Sequence, residues 1–286
     1  MDCKSSYPSS ILGPASTRAL SDSIMILAQL SDPHICAPGQ RLFARADTAG
    51  ALADAVARLN GLATPPNLVV VTGDLTEHGT PEEYGQFQRV MAPLAAPYVV
   101  LPGNHDRRQA MRDAFPELPA VGPFHYTVED FPVRLICLDS LIEGSGRGQI
   151  GPEQLAWLDR TLKAAPERPT VVALHHPPFS TGIHHVDAVG LDDAEAFGTI
   201  VAAHGQVERV IAGHVHRAMQ RRWFGTIAST APSTTHAVDL DLRPGAGAAY
   251  IYETPGLQLL HWRPWAGLVG HILPLGRFDG PHRYGK

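Results

Sequence analysis

Residues 68–75 read LVVVTGDL, a short β-branched run that stops at a glycine and an aspartate. The same plan recurs in MILAQLSDPH (25–34), YVVLPGNHD (98–106), TVVALHH (170–176) and VIAGHVH (210–216). Continuous apolar runs that end in turn residues are typical of strands buried on both faces. Because ligands of open α/β sheets bind at the carboxyl ends of strands, we predict one site built from these five turns.

The side chains in the five turns are carboxylates, an amide and imidazoles, with no thiolate. This donor set suits Mn, Fe, Co or Zn. A pair of ions about 3.5–4 Å apart clamps a phosphoryl group and turns a bound water into a hydroxide nucleophile near neutral pH. Seven ligands for two ions require a shared one, and Asp74, alone in its turn, is the candidate bridge. The predicted ligands are Asp32, His34, Asp74, Asn104, His175, His214 and His216.

The order D-x-H, G-D, G-N-H-D, H-H-P-P and G-H-x-H resembles the calcineurin-like metallophosphoesterase superfamily. Within it, the chain is similar to the bacterial class III cyclic-nucleotide phosphodiesterases and the related glycerophosphodiesterases. The segments TGIHHVDAVGLDD (181–193) and STAPSTTH (229–236) also resemble that subgroup, and the likeness covers roughly residues 24–260. The resemblance implies a four-layer α/β/β/α sandwich of two mixed sheets, with the metals at its edge.

The resemblance also implies a division of the ligands. The first metal would be held by Asp32, His34, Asp74 and His216, and the second by Asp74, Asn104, His175 and His214. The catalytic residues would be Asp74, as the bridge, and His105, which would contact the phosphate and protonate the leaving oxygen or stabilise the transition state. Asp106 is expected to orient the His105 imidazole. In the H-H pair the resemblance makes His175 the ligand, while His176 would line the site or point into the core.

The sequence allows two interpretations of the loop after the H-H-P-P turn. His184, His185 and Asp187 either bind the second ester substituent of the substrate or belong to a solvated surface loop. For His204, His261, His271 and His282 we expect ordinary structural or surface roles.

These features predict a phosphoric diester hydrolase that uses two divalent ions on small phosphodiesters. The resemblance makes 3′,5′-cyclic nucleotides the first expectation, with a glycerophosphodiesterase or a broad phosphodiesterase as the alternative. A further enzymatic interpretation is a pyrophosphohydrolase that acts on nucleotide-sugar lipids. A non-catalytic binding module on the same fold is the alternative outside the enzymes. The presence of a suitable residue at all seven ligand positions, and of His105, argues against it.

Composition excludes several classes of protein. The 286 residues are 44% hydrophobic and carry a net charge of −5 with His neutral. Since no large Lys/Arg cluster is present, we expect no nucleic acid polymer as partner. No apolar run reaches the roughly 20 residues of a membrane span. The spacing of the three cysteines does not indicate a disulfide framework, which is typical of proteins in a reducing compartment. We therefore expect a cytoplasmic protein.

Alternating strands and helices indicate an α/β protein. We expect a flexible leader over residues 1–23, a catalytic domain over 24–232 and a hairpin with an apolar tail over 233–286. That tail either makes a homo-oligomer contact or folds back on its own sheet. The predicted strands span 24–30, 68–72, 98–101, 124–128, 133–139, 170–175, 207–212 and 219–229, and the predicted helices span 47–60, 81–91, 152–165 and 192–203.

Overall fold

The computed structural model describes residues 23–285. The leader expected over residues 1–23 therefore lies, apart from Ser23, outside the described residues. Among the residues that the structure describes, no helix combines the length and apolarity needed to cross a membrane.

The first sheet combines strands from both ends of the chain. Its strands are β1 (Met25–Leu30), β2 (Leu68–Thr72), β3 (Tyr98–Leu101), β12 (Gly256–Arg263) and β13 (Gly267–Pro274). They lie in the order β13-β12-β1-β2-β3. Strands β1, β2 and β3 are parallel, and the C-terminal hairpin β12–β13 adds to β1 in the antiparallel sense. The segment after residue 232 thus folds back onto a sheet of its own chain, which was one of the two readings of the tail.

The second sheet has six strands, in the order β4-β5-β6-β7-β9-β8. These are β4 (Tyr126–Val128), β5 (Arg134–Cys137), β6 (Thr170–Ala173), β7 (Val207–Ala212), β8 (Met219–Trp223) and β9 (Thr226–Thr230). Strands β5, β6, β7 and β9 are parallel, whereas β4 and β8 are antiparallel to their neighbours. Two further short strands, β10 (Ala237–Val238) and β11 (Tyr250–Ile251), pair with each other outside both sheets.

The helices follow the strands that they cover. They are α1 (Thr48–Asn60), α2 (Pro81–Met91), α3 (Arg108–Ala114), α4 (Pro152–Lys163), α5 (His184–Asp187) and α6 (Ala194–Ala202). Helix α2 begins with a capping box, because the Thr80 side chain accepts from the Glu83 amide while the Glu83 carboxylate accepts from the Thr80 amide. Pro81 then occupies the first turn, where no backbone donor is needed.

Alternate residues of the second sheet face different layers. Val171 and Ala173 pack in one core with the first sheet and with Leu52 of α1. Val172 between them packs with Leu158 of α4 on the opposite face. Because side chains along a strand alternate between faces, this arrangement requires a helix layer outside each sheet. The predicted four-layer sandwich of two mixed sheets is confirmed.

One prediction of local structure was wrong. The single strand expected over 219–229 is a hairpin, since Phe224 and Gly225 both have positive φ (43° and 87°) and form a two-residue turn between β8 and β9. Positive φ at both central residues gives the twist that a tight hairpin needs. The C-terminal hairpin, expected within residues 233–286, pairs Gly256–Arg263 with Gly267–Pro274. Helices α3 and α5 were not predicted.

Candidate metal centre

The five polar turns meet at one edge of the sandwich, where β1, β2, β3, β6 and β7 end. Most of these turns have unusual backbone conformations. Among the residues that the structure describes, five of the eight non-glycine residues with positive φ are predicted ligands: Asp32, His34, Asp74, His214 and His216. A left-handed conformation costs energy for a residue with a β-carbon and tends to persist where function requires it. The strain is therefore concentrated at this edge.

Two glycines make room for the ligands beside them. A β-carbon at Gly103 would lie 2.2 Å from Asp74 Oδ1, and one at Gly213 would lie 2.2 Å from Ser31 Oγ and 2.8 Å from Asp32 Oδ2. All three distances are far below van der Waals contact. The glycines of G-N-H-D and G-H-V-H thus allow the neighbouring turns to approach closely.

Four predicted ligands form a first group. Asp32, His34, Asp74 and His216 place one donor atom each within 4.8 Å of the others, and all four are buried. His34 Nε2 lies 3.1 Å from His216 Nε2 and 3.5 Å from Asp74 Oδ2. His216 Nε2 lies 3.5 Å from Asp32 Oδ1. Such a set of imidazoles and carboxylates can hold a divalent cation.

A second group lies on the other side of Asp74. Asn104 Oδ1 is 3.0 Å from His175 Nε2 and 2.9 Å from His214 Nδ1. His175 Nε2 is also 3.4 Å from Asp74 Oδ2. The same carboxylate oxygen therefore faces His34 in the first group and His175 in the second. The other oxygen, Oδ1, accepts a hydrogen bond of 2.8 Å from the His105 amide, which fixes the orientation of the carboxylate.

The tautomers of two rings indicate that the groups suit a cation. His34 Nδ1 hydrogen bonds to a Glu77 carboxylate oxygen at 2.8 Å, and His175 Nδ1 to the Thr72 carbonyl at 2.8 Å. Carboxylate and carbonyl oxygens only accept, so each Nδ1 carries a hydrogen and each Nε2 points inward. Each Nε2 faces an Asp74 oxygen that also only accepts, so a proton or a positive ion must lie between them. Since a cation can take the place of that proton, the residues fit a metal.

Burial strongly perturbs the titration of the group. Burial raises the pKa of Asp32 to about 6. Burial, together with the nearby His175 ring, lowers the pKa of His214 to about 3. Burial opposes the charged form of His175, yet Asp74 raises its pKa to about 9. With no ion bound, the His175 ring thus holds a proton against Asp74, and a bound cation would take the place of that proton.

Glu77 was not predicted from the sequence, although it contacts two site residues. Its Oε2 lies 2.8 Å from Nδ1 of His34 and 3.5 Å from Nδ1 of His105. Its backbone carbonyl also accepts from His105 Nδ1 at 2.9 Å. Glu77 follows Asp74 by three residues in the same turn, and that spacing was the only available signal.

The expectation that Asp106 orients the His105 imidazole was wrong. The Asp106 carboxylate is fully buried and accepts from Tyr84 Oη (2.9 Å) and from the backbone amides of Leu75 (3.1 Å) and Gly103 (2.9 Å). It therefore fastens the turn after β2 to the turn after β3. The His105 ring is held by Glu77 instead.

The structure also distinguishes the two histidines of the H-H pair. His176 Nδ1 lies 2.8 Å from Ser140 Oγ, and its Nε2 lies 3.2 Å from the Gly146 carbonyl. Both nitrogens of His176 thus have hydrogen-bond partners outside the predicted ligands, whereas His175 Nε2 faces Asp74 and Asn104. A His176 nitrogen still lies within 4.8 Å of donor atoms of His175 and His214.

The loop 180–187 packs against the turn that carries His214 and His216. Ile183 and Val186 are buried together with Val215, which lies between those two histidines. The Asp187 carboxylate accepts from the Ser180 hydroxyl (2.6 Å) and from the Thr181 amide (2.7 Å), so it closes its own loop. His184 is exposed and His185 is half-buried.

A cleft opens beside the second group. It has a volume of about 290 Å³ and contains Asn104 and His105 in its wall. The His105 side chain keeps 36% of its surface exposed there. The remaining lining residues are Glu77, His78, Arg107, Gly144, Ser145 and Gly146. A small ester can therefore reach His105 and the edge of the metal group from solvent.

Comparisons of sequence agree with this geometry. The sequence pattern of the calcineurin-like phosphoesterase family matches residues 25–218. The chain is 36% identical to the probable glycerophosphodiester phosphodiesterase GpdQ of Arcobacter nitrofigilis, over 91% of this chain and 97% of that protein. It is 30% identical to a cAMP/cGMP dual specificity phosphodiesterase of Mycobacterium tuberculosis, over 88% of this chain and 80% of that protein.

Comparison of folds gives the same result. A dimetal phosphatase from Danio rerio superimposes with a TM-score of 0.60 at 17% sequence identity, covering 88% of this chain and 99% of that chain. The similarity extends across the sandwich and is a likeness of fold.

Proposed function

Because the chain belongs to the calcineurin-like phosphoesterase family, we propose that it is a phosphoric diester hydrolase that uses two divalent cations. The observation that carries the proposal is the position of Asp74. A single carboxylate oxygen lies 3.5 Å from His34 Nε2 and 3.4 Å from His175 Nε2, between two groups of buried donors. A shared carboxylate is what a pair of adjacent cations requires.

The proposed ligands divide as the family resemblance implies. The first cation is held by Asp32, His34, Asp74 and His216, and the second by Asp74, Asn104, His175 and His214. When bound, such a pair supplies Lewis acidity to the phosphoryl oxygens and activates water as the nucleophile. The chain itself fixes the donor atoms, because Glu77 and the Thr72 carbonyl hold the His34 and His175 rings.

His105 is the proposed proton donor to the leaving oxygen. Its Nδ1 donates to the Glu77 carbonyl, which sets the orientation of the ring in the cleft wall. When both ring nitrogens are protonated, Nε2 carries the proton that can be transferred.

The substrate is a small phosphodiester, with 3′,5′-cyclic nucleotides as the first candidate from the sequence. Glycerophosphodiesters are a second candidate because of the GpdQ relative, which this chain matches over 97% of its length. A monoester dianion is attracted to two cations more strongly than a diester monoanion is. Preference for diesters must therefore come from groups that hold the second ester substituent.

We assign that task to the loop 180–187, in which His184 and His185 can hydrogen bond to a ribose or glycerol hydroxyl. Asp187 was predicted to bind substrate with them. Since its carboxylate is engaged by Ser180 and Thr181, we propose that it acts by holding the shape of the loop.

A substrate panel tests the proposal. Manganese-loaded enzyme is assayed with 3′,5′- and 2′,3′-cyclic nucleotides, glycerophosphodiesters, bis-p-nitrophenyl phosphate and p-nitrophenyl phosphate, with Asp74→Ala as the matched control. We expect diester hydrolysis that exceeds monoester hydrolysis and that disappears in the control. Preference for the monoester would contradict the proposal, and purification without stoichiometric metal would favour a binding module.

A further inference from the structure

Two buried glutamines lie between the sheets. Gln29 of β1 is completely buried and Gln258 of β12 is 3% exposed. They are direct partners in the β1–β12 ladder. An amide buried without hydrogen bonds destabilises a core, so a buried pair of amides calls for a physical reason. We refer to Gln29 and Gln258 as the glutamine bridge.

The hydrogen bonds of Gln29 cross from one sheet to the other. Its Nε2 donates to Thr72 Oγ1 on β2 at 2.9 Å and to the Ala212 carbonyl at the end of β7 at 2.8 Å. Both N–H groups are therefore used, one within the first sheet and one toward the second. Because a primary amide has only these two donors, the side chain is held in one orientation.

Gln258 adds a second crossing. Its Nε2 donates to Gln29 Oε1 at 3.0 Å and to Ser229 Oγ on β9 at 3.2 Å. The bridge thus ties β12, β1 and β2 of the first sheet to β7 and β9 of the second. Apolar packing between sheets is non-directional, so it resists separation of the sheets better than sliding of one over the other. Directional hydrogen bonds resist sliding as well.

The atoms that the bridge holds lead directly into the metal centre. Ala212 precedes the Gly213-His214 turn, and the Thr72 carbonyl accepts from His175 Nδ1. The proposed ligands come from both sheets. Those from the first sheet are Asp32, His34, Asp74 and Asn104, and those from the second are His175, His214 and His216. A shift of one sheet against the other would therefore change distances within both groups of ligands.

We propose that the glutamine bridge is a positioning device that holds the ligands of the two sheets in register, with Gln29 as its central residue. Loss of the bridge should have two consequences. The first, weaker metal binding, rests on the proposed function. The second is mechanical, a looser attachment of the end of β7 to β1 and β2, and does not rest on it.

The mechanical consequence is tested by hydrogen–deuterium exchange on the metal-free protein. Gln29→Met keeps the length of the side chain and removes both donors. Leu260→Met, at a buried site two residues from Gln258 on the same face of β12, is the matched control. We expect faster exchange in the peptide that contains residues 211–216 for Gln29→Met and no change there for the control. Unchanged exchange in Gln29→Met would overturn the proposal.

The metal-binding consequence is tested by calorimetric titration with Mn²⁺. Residues outside the ligand set that orient ligands typically alter metal affinity by 10–100-fold, and for Gln29→Met we expect a loss on the order of tenfold. Gln258→Met should give a smaller loss, and Leu260→Met should give none even if its Tm falls by as much. Equal affinities in Gln29→Met and Leu260→Met would show a merely structural role and contradict the inference. If the wild-type protein binds no Mn²⁺, the proposed function fails, while the exchange experiment still decides the mechanical claim.

Discussion

The two halves of the proposed metal centre differ in what lies behind their histidines. In the first half, His34 is backed by the Glu77 carboxylate at 2.8 Å. In the second half, His175 is backed by the neutral Thr72 carbonyl at 2.8 Å. The first half also contains two carboxylates, Asp32 and Asp74, whereas the second shares Asp74 and adds the neutral amide of Asn104. More negative charge near the first half should bind a divalent cation more tightly, since an anionic outer partner raises the basicity of its imidazole.

Replacement of the residue that the halves share should have the largest effect. In Asp74→Ala each half loses a donor and the two lose their link, so we expect both cations to be lost and diester hydrolysis to fall to background. Metal analysis of the purified variant and a bis-p-nitrophenyl phosphate assay measure this. Asp54→Ala, on the exposed face of α1, is the control and should behave as wild type. Retention of two ions by Asp74→Ala would contradict the shared role.

His105 should affect catalysis without distinguishing between the halves. Its ring lies in the cleft wall and its backbone, not its side chain, contacts Asp74. We expect His105→Ala to keep its metal and to lose about 10²–10⁴-fold in kcat, the usual contribution of a positioned acid or base. The loss should be smaller for a substrate with a p-nitrophenol leaving group, which needs little protonation. Loss of metal from this variant would make His105 a ligand.

Glu77 gives the sharpest contrast between the halves. Glu77→Gln preserves an acceptor for His34 Nδ1 and removes the negative charge. We expect the affinity of the tighter cation to fall by about 10–100-fold while that of the weaker cation stays unchanged. Glu129→Gln is the matched control, because Glu129 pairs with Arg168 and neither residue belongs to the turns that carry the proposed ligands. Equal weakening of both cations would remove the distinction between the halves.

The loop beside the centre should give the smallest effect. His185→Ala removes a proposed hydrogen bond to the second ester substituent, so KM for a natural diester should rise severalfold. Hydrolysis of bis-p-nitrophenyl phosphate, whose substituents lack hydroxyl groups, should change little. If both substrates are affected equally, the loop supports the metal centre and does not select the substrate.

Sequence alone predicts the strand exits well because the information there is local. Asp74 follows its own strand within two residues, and each of the other turns repeats that plan, so parallel strands must bring them to one edge. Glu77 was missed because its contact with His34 joins positions 43 residues apart, and only the fold brings these side chains together. Asp106 was misassigned for a related reason, since adjacency in sequence to His105 does not make the two side chains contact.

The hydrogen bonds that connect the two sheets could not be predicted from the sequence either. Gln29 and Gln258 are separated by 229 positions, and each resembles an ordinary polar residue in a strand. The hairpin at Phe224-Gly225 was hidden within an apparently continuous strand, because Phe is not a residue typical of such turns. Local chemistry thus predicted which residues enter the site, whereas the residues that hold them in place depend on long-range packing.

Titration of the metal-free wild-type protein with Mn²⁺ by calorimetry, repeated with Asp74→Ala, tests the central claim most directly. The shared carboxylate and the unequal charge of the two halves predict two ions per chain that bind in two resolved phases, the tighter one sensitive to Glu77→Gln. They also predict that Asp74→Ala loses both phases. A single ion per chain whose binding survives Asp74→Ala would contradict the binuclear centre.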